Sequence, residues 1–403
     1  MNSLDKKYTV LLLSAPIGSG HRLAAQALEQ RFCQQNNVQV LHGNVFDFFP
    51  HCLGSAFLRS YLWILGRCPW LYALAYKWGN QQGGSLWLRG LINRSLAFLG
   101  SNYLNRVKPD AVIATHATPT GIMSYYKQKH PDIFLGAVVT DFTIHQWWQC
   151  QGVDAYFLAD ERLCKRIKVP AQVHAFGIPV RQQFLDNDRA ECRSRYGWEL
   201  NQQVCLLMGG GEGLLPMAEI LNGLQAAKIH NLHVVAITGH NQQLAEKLRN
   251  EFILQGKSQS TNGANCSDFD NDKQGFIGTD AVALDIPEIY GFREDVPQLM
   301  AGADMIITKA GGLTSAEVLA SGLELIIYKP LPGQEQNNAA FLRDYYHVPI
   351  VNDIPSLIEA VKSKCFAGTN KAQAVEERKA ALGRPLAAEQ ICAYVLEKLT
   401  SRQ

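Results

Sequence analysis

Two almost uninterrupted apolar runs, Tyr8–Ser14 (YTVLLLS) and residues 204–208 (VCLLM), each lead into a glycine-bearing loop and then into helical periodicity. A strand lacking polar alternation is buried on both faces, which calls for a parallel sheet covered by helices on each side. Behind the first run come the loop 15–20, His21, and a helical stripe of Ala24, Ala25, Leu28 and Phe32, before residues 38–41 return to strand. Behind the second come Gly209-Gly210-Gly211-Glu212-Gly213, a helix over 214–227, a strand over 233–237 and a helix over 242–254. Residues 304–308, Gly311-Gly312, 313–321 and 325–328 repeat the plan. The predicted fold is α/β, with two doubly wound Rossmann-like domains facing a central cleft. The exit at Gly177-Ile178-Pro179-Val180 divides the chain into 1–180, 181–383 and a terminal helix, 384–403, expected to pack back on the first domain. Ligands in open α/β sheets sit beyond the carboxyl ends of strands, so the three glycine loops are expected to line the cleft.

A chain of 403 residues, 47% hydrophobic and 18% charged, can bury two such cores and is too apolar to be disordered. Its net charge of +2 argues for no particular partner. The ten cysteines form no CxxC pair and no zinc spacing with histidine, and most read as small buried side chains in a reducing cytoplasm. Tyr8–Ser14 is too short for a signal peptide, and no window reaches the roughly 20 apolar residues of a membrane span. Residues 256–280, rich in Gly, Ser, Asn and Asp, read as a flexible surface insertion.

Residues 48–109 stand apart. They contain no Asp or Glu, seven bases (Arg59, Arg67, Lys77, Arg89, Arg94, Arg106, Lys108) and four of the seven tryptophans (Trp63, Trp70, Trp78, Trp87). Tryptophan favours the membrane–water interface and bases attract anionic lipid, so an anionic membrane surface is the expected partner. The alternative is an ordinary core helix pair with a basic rim. Nucleic acid is not expected, because the apolar content is too high for a phosphate-tracking face.

The sharpest chemical signal is the stretch 308–341, TKAGGLTSAEVLASGLELIIYKPLPGQEQNNAAF. Gly311 and Gly312 allow close backbone approach, and the helix beginning at Leu313 aims its free amides at whatever lies there, as phosphate sites do. Thr314 and Ser315 can add hydroxyls, and Glu317 lies on the first turn, where a carboxylate could accept two sugar hydroxyls. The run Gln334-Glu335-Gln336-Asn337-Asn338 suits a polyhydroxyl ligand. On the acceptor side, His21 follows Gly18-Ser19-Gly20, and Asp141 ends a buried strand. Either Asp141 orients His21 as a general base, or it is the base itself. His116 and His145 are lesser candidates, read as structural.

These segments, with residues 16–28, 139–161 (VTDFTIHQWWQCQGVDAYFLADE) and 176–184 (FGIPVRQQF), resemble the GT-B glycosyltransferases. The group in question holds the monogalactosyldiacylglycerol synthases, the processive diacylglycerol glucosyltransferases and MurG. The resemblance implies a uridine diphosphate sugar as donor, with Glu317 on the ribose, Gly311, Gly312, Leu313 and Thr314 on the diphosphate, and Phe292 and Arg293 at the uracil. Gln334 and Glu335, with Asn338 in the same run, would meet the transferred sugar. Gly210 and Gly211 would close over the phosphates, opposite the Gly18–Gly20 loop. It further implies an inverting, metal-independent transfer without cofactor to diacylglycerol or a related membrane lipid, by a cytoplasmic protein peripheral on the inner face of the cell membrane. Transfer to a polyprenyl-linked cell-wall precursor, or epimerisation of a UDP-sugar on the same scaffold, are the alternatives.

Overall fold

The computed structural model describes residues 7–15, 19–48, 84–261, 286–365 and 371–402. The first half runs β1 (Tyr8–Ser14), α1 (Ser19–Phe32), β2 (Val38–Asn44), α2 (Gly84–Val107), β3 (Ala111–Ala114), α3 (Ala117–Lys127), β4 (Phe134–Val138), β5 (Ala155–Phe157) and β6 (Gln172–His174). These strands form one sheet in the order β2-β1-β3-β4-β5-β6, with every pairing parallel. Alternation along β1 sends Val10 and Leu12 to Ala25, Leu28 and Phe32 on one face, and Leu11 and Leu13 to Leu104, Ile122 and Met123 on the other. That two-sided burial is what the unbroken YTVLLLS run requires.

The second half runs α4 (Arg189–Tyr196), β7 (Gln203–Met208), α5 (Met217–Ala226), β8 (Leu232–Ile237), α6 (Gln242–Thr261), β9 (Glu288–Tyr290), α7 (Val296–Gly302), β10 (Met305–Thr308), α8 (Gly312–Ser321), β11 (Glu324–Tyr328), α9 (Gln334–Tyr346), β12 (Ile350–Val351), α10 (Ile354–Cys365) and α11 (Lys371–Leu382). Its sheet is also parallel, in the order β12-β11-β10-β7-β8-β9. Helix α6 carries on through residues expected to open the flexible insertion. No proline stops it, and Gln255, Lys257 and Gln259 are sound helix formers. The insertion from 262 to 280 lies outside the described residues.

Strand order fixes where ligands can go. The chain leaves β1 on one side for β2 and returns on the other for β3; it does the same around β7, flanked by β8 and β10. Each reversal opens a crevice at the carboxyl ends of the strands. A buried arginine secures the second one. Arg193 on α4, 1% exposed, donates to Asp304 Oδ2 (2.7 Å) and the Gly302 carbonyl (2.8 Å), while Asp304 Oδ2 also accepts from the Val204 amide (2.8 Å). Arg189 holds the other Asp304 oxygen at 2.7 Å, so β10 is locked to β7 at its entry.

The two halves share one continuous apolar core. Leu13, Val139 and Phe142 belong to the same cluster as Ala310, Leu313 and Phe341, and the Phe142 and Phe341 rings lie 5.9 Å apart. The last helix, α12 (Ala387–Thr400), crosses back and buries Ile391, Cys392, Val395 and Leu399 against Tyr8, Val10, Leu12 and Leu28. At the crossing, Gly177 has φ +107° and a Cβ there would overlap Arg384, so glycine is required.

Within the acid-free tract only the part from Gly84 onward is described, together with Phe48. Trp63, Trp70, Trp78, Arg59, Arg67 and Lys77 lie outside the described residues. Helix α2 buries Asn93, Ala97 and Leu104, yet exposes Trp87 (72%), Leu91 and Phe98 (79%), which with Arg94 recur at i, i+4, i+7, i+11 on one side. Arg89, expected as a surface base, is committed to the protein, donating to the carbonyls of Gln146 (2.9 Å) and Gln149 (3.3 Å). Among the described residues no helix is long and apolar enough to cross a membrane.

Candidate active site

His21 lies on the first turn of α1, at the β1–β3 crevice. Its Nδ1 is 2.8 Å from the Thr115 carbonyl and 2.8 Å from Thr140 Oγ1. A carbonyl only accepts, so Nδ1 carries the proton and Nε2 keeps its lone pair. Burial lowers the His21 pKa, opposed by the Asp141 charge and the Thr115 carbonyl, so the ring is neutral and basic at pH 7. His116 stands edge-on at 4.6 Å and takes the opposite tautomer, since its Nδ1 accepts from the Thr118 amide (3.1 Å) and caps α3. Burial, then repulsion from His21 and His145, holds its pKa well below the ordinary value. His145 caps a short turn in the same way through Trp147 (3.2 Å).

Asp141 follows β4 and is 7% exposed. Both carboxylate oxygens are met from the second half: Gln334 Nε2 donates to Oδ2, and Asn338 Nδ2 to Oδ1 at 2.9 Å. The start of α8 abuts the same group. A Cβ on Gly312 would lie 2.7 Å from Asp141 Oδ1 and overlap the Thr140 carbonyl, so the position has room only for glycine. Gly20 faces Leu313 with room for ordinary contact, 3.5 Å from a Cβ at 20 to Leu313 Cβ. The first turns of α1 and α8 therefore meet across the cleft.

No side chain caps α8 at Gly311, so its leading amides are offered to a ligand. Thr314 is half-buried, whereas Ser315, expected to add a hydroxyl, is fully buried and turned inward. Glu317, expected on the first turn, falls on the second turn of α8 and is 5% exposed; burial pushes its pKa up to about 7, against the pull of Arg181, whose Nη2 lies 3.2 Å away. Lys309 pairs with Glu335 at 2.9 Å, and its Cε is 3.4 Å from where a Gly210 Cβ would stand. Glu335 also accepts from the Leu331 amide at 3.0 Å. The loop of Gly210 and Gly211 turns through left-handed glycines (Gly210 φ +76°, Gly213 φ +62°), as no other residue type allows at low cost. Phe292 is half exposed, with the His240 ring stacked on it at 4.5 Å.

Two expected ligand residues have other occupations. The Arg293 guanidinium is held by Asp295 (Nε to Oδ1, 2.7 Å) and lies over the Tyr290 ring, so its head group is already engaged within the protein. Asn338, expected on the sugar, is fully buried, because its amide bonds Asp141, the Ala310 carbonyl (3.1 Å) and the Phe142 amide (3.0 Å). Gly18 lies outside the described residues. Sequence reasoning missed Thr140, Arg181, Lys309 and His240 as site residues. Lys309, Arg181 and Thr140 stood inside the quoted motifs, and the first two were legible as cations beside a phosphate loop; the contact of Thr140 with His21 and the stacking of His240 on Phe292 arise only through folding.

Asp-x-Asp tripeptides, which can hold a metal-bound diphosphate, occur at 186–188, 268–270 and 270–272. In the first, Asp188 caps α4 by accepting from the Glu191 amide (2.8 Å); the other two lie outside the described residues. Among the described residues no group of three His, Cys, Asp or Glu could hold a metal ion.

Residues 21–180 match the monogalactosyldiacylglycerol (MGDG) synthase family, and residues 204–391 match the glycosyltransferase family 28 C-terminal domain. A processive diacylglycerol beta-glucosyltransferase of Bacillus pumilus (strain SAFR-032) is 26% identical over 367 residues, covering 87% of this chain and 85% of the relative. Among solved structures, Acinetobacter baumannii MurG superposes with a TM-score of 0.59 at 16% identity, over 97% of this chain and 99% of that one. The UDP-GlcNAc 2-epimerase of Neisseria meningitidis gives 0.56 at 12% identity, over 96% and 100%. At these identities the structural likeness speaks for the GT-B fold, which transferases and epimerases share.

Proposed function

The chain belongs to the glycosyltransferases that join an MGDG-synthase-type N-terminal half to a family 28 C-terminal half, and from that premise we propose that it moves a hexose from a UDP-sugar to diacylglycerol or a related membrane lipid. The observation that carries the reading is the meeting of His21, neutral with its Nε2 lone pair available, and the uncapped start of α8 across one cleft. His21 Nε2 takes the proton as the lipid hydroxyl oxygen attacks the anomeric carbon. Asp141 stabilises the resulting imidazolium. The bond from the anomeric carbon to the β-phosphate oxygen breaks, and UDP leaves with the electron pair. The amides at Gly312–Thr314 and the Lys309 ammonium stabilise its growing charge, a role that needs no metal. Attack from the face opposite UDP inverts the anomeric centre. Glu317 accepts from the ribose, Phe292 packs on the uracil, and Gln334 and Glu335 meet the sugar.

The acceptor is lipid-bound, and the exposed stripe Trp87, Leu91, Arg94 and Phe98 on α2 suits an anionic bilayer surface. The test is transfer of label from UDP-glucose, UDP-galactose and UDP-N-acetylglucosamine, each offered separately, to diacylglycerol in anionic micelles with EDTA present. A chloroform-soluble product from one donor is expected. If none forms while UDP still binds, the lipid reading is lost; product only without EDTA would overturn metal independence.

A further inference from the structure

Asn338 sits on the second half, but its hydrogen-bond partners belong to the groove where the halves meet. Its Oδ1 accepts from the Phe142 amide (3.0 Å), and a backbone N–H can only donate. Its Nδ2 therefore faces Asp141 Oδ1 (2.9 Å) and the Ala310 carbonyl (3.1 Å), both of which only accept. The orientation has no alternative: a flipped amide would set oxygen against two oxygens and nitrogen against an N–H. At 0% exposure, Asn338 has no open side from which to meet a sugar.

We propose that Asn338 is a positioning residue for the base on the opposite half, holding Asp141 where its charge serves His21. The inference rests on the His21–Asp141 reading above and deepens it. Ala310 precedes the glycine pair that starts α8, and Phe142 follows Asp141. One side chain thus ties the donor loop, the carboxylate and the backbone beside it, across 197 residues of chain. Separating the halves would break this hold, so the base pair is complete only when the donor half is docked. Gln334 differs: it lies on the cleft side of the same carboxylate and is only partly buried, which leaves it able to leave Asp141 for a sugar hydroxyl.

The charges around Asp141 define the test. The charge of Asp141 acts on His21 of α1, which has the His116 ring beside it; α8 brings a helix start against the carboxylate; on α9 the next charge, Glu335, is tied to Lys309. Asn338→Asp keeps the shape but sets a second carboxyl against Asp141. Two such groups share a proton, and a protonated Asp at 338 can donate to Asp141 as the amide did. In the full-length protein, N338D is expected to lower kcat about tenfold or more near pH 8, with the donor KM within about twofold of the parent. The variant-to-parent activity ratio should climb as pH falls toward about 6. N338A, which adds no charge, should lower kcat at every pH with UDP affinity by calorimetry unchanged. A raised donor KM at intact kcat in either variant, or a pH-independent ratio for N338D, overturns the proposal. If N338D does not fold, the kcat and KM split of N338A decides alone. An inactive parent would instead strike the functional reading, because every outcome here is a ratio to parent activity.

Discussion

Glu317, proposed to hold the ribose, shows how a residue placed for binding can oppose stability. Burial holds its pKa at about 7 against an ordinary 4.5, with Arg181 only partly compensating. The folded state therefore keeps the proton at pH values where the unfolded chain has lost it. The contribution is fully present below about 4.5 and is lost as pH rises through about 7, a cost of up to about 3 kcal/mol. Glu317→Gln removes the ionisation. Its Tm is expected to exceed the parent's near pH 8 and to match it near pH 5, while calorimetry shows weaker UDP binding. Equal Tm shifts at both pH values would mean the carboxyl is not held out of water. His21 follows the other sign: its lowered pKa sets the acid limb of kcat/KM below 6.5, and His21→Ala should cost about 10²–10⁴ in kcat. Both residues were legible in the sequence, because each sits at a fixed offset from a glycine loop. The role of Asn338 was not. It stands in a run of amides that reads as sugar-binding, and its true partner is a carboxylate brought in from the other half by folding. The His21 tautomer was equally hidden, since it depends on the Thr115 carbonyl of a neighbouring strand.

The elements were legible to the degree that their burial is two-sided. Unbroken apolar strands and the glycines after them announced β1, β7 and β10, but strand order, and with it the two crevices, came from the structure. Periodicity could not say where α6 stops, because polar helix formers without proline read equally as loop. The same limit applies to the meeting of α1 and α8, which two glycines make possible in unequal ways. A methyl at Gly312 would overlap the Thr140 carbonyl, a backbone atom that cannot step aside. Gly312→Ala is expected to push α8 away from the Asp141 loop, costing about 1–3 kcal/mol of stability and most of the activity. At Gly20 the same methyl makes ordinary contact with Leu313 and replaces a helical glycine, so Gly20→Ala should melt no lower than the parent. Thermal melts of the two variants side by side check the contrast. Similar losses in both would show that the helix starts are not in the described register.

At the scale of the molecule, one apolar core joins the halves while one helix face is left facing water. Helix α2 packs inward through Asn93, Ala97 and Leu104, so its exposed stripe is not needed to hold the fold. Trp87 and Phe98 are 72% and 79% exposed, an arrangement that costs a free protein solubility and gains contact area at a bilayer interface. On the proposed membrane reading, the exposed Arg94 between them would add attraction to anionic lipid of about 1 kcal/mol, screened by salt. The lack of acids across 48–109 was visible in sequence, but which bases face outward was not. Arg89 turned out to bind carbonyls, because a buried turn needed a donor there. A paired Trp87→Ser and Phe98→Ser variant isolates the apolar part. Each ring moved off water contributes up to about 2 kcal/mol, so sedimentation with anionic liposomes should weaken about tenfold or more. Melting and UDP affinity should not change, since neither ring touches the core or the cleft loops. Transfer to diacylglycerol in vesicles should fall with the binding and return when the acceptor is presented in detergent micelles. If the variant sediments like the parent, the stripe does not meet the membrane. If it loses activity in micelles as well, α2 shapes the acceptor site itself rather than bringing the enzyme to the bilayer.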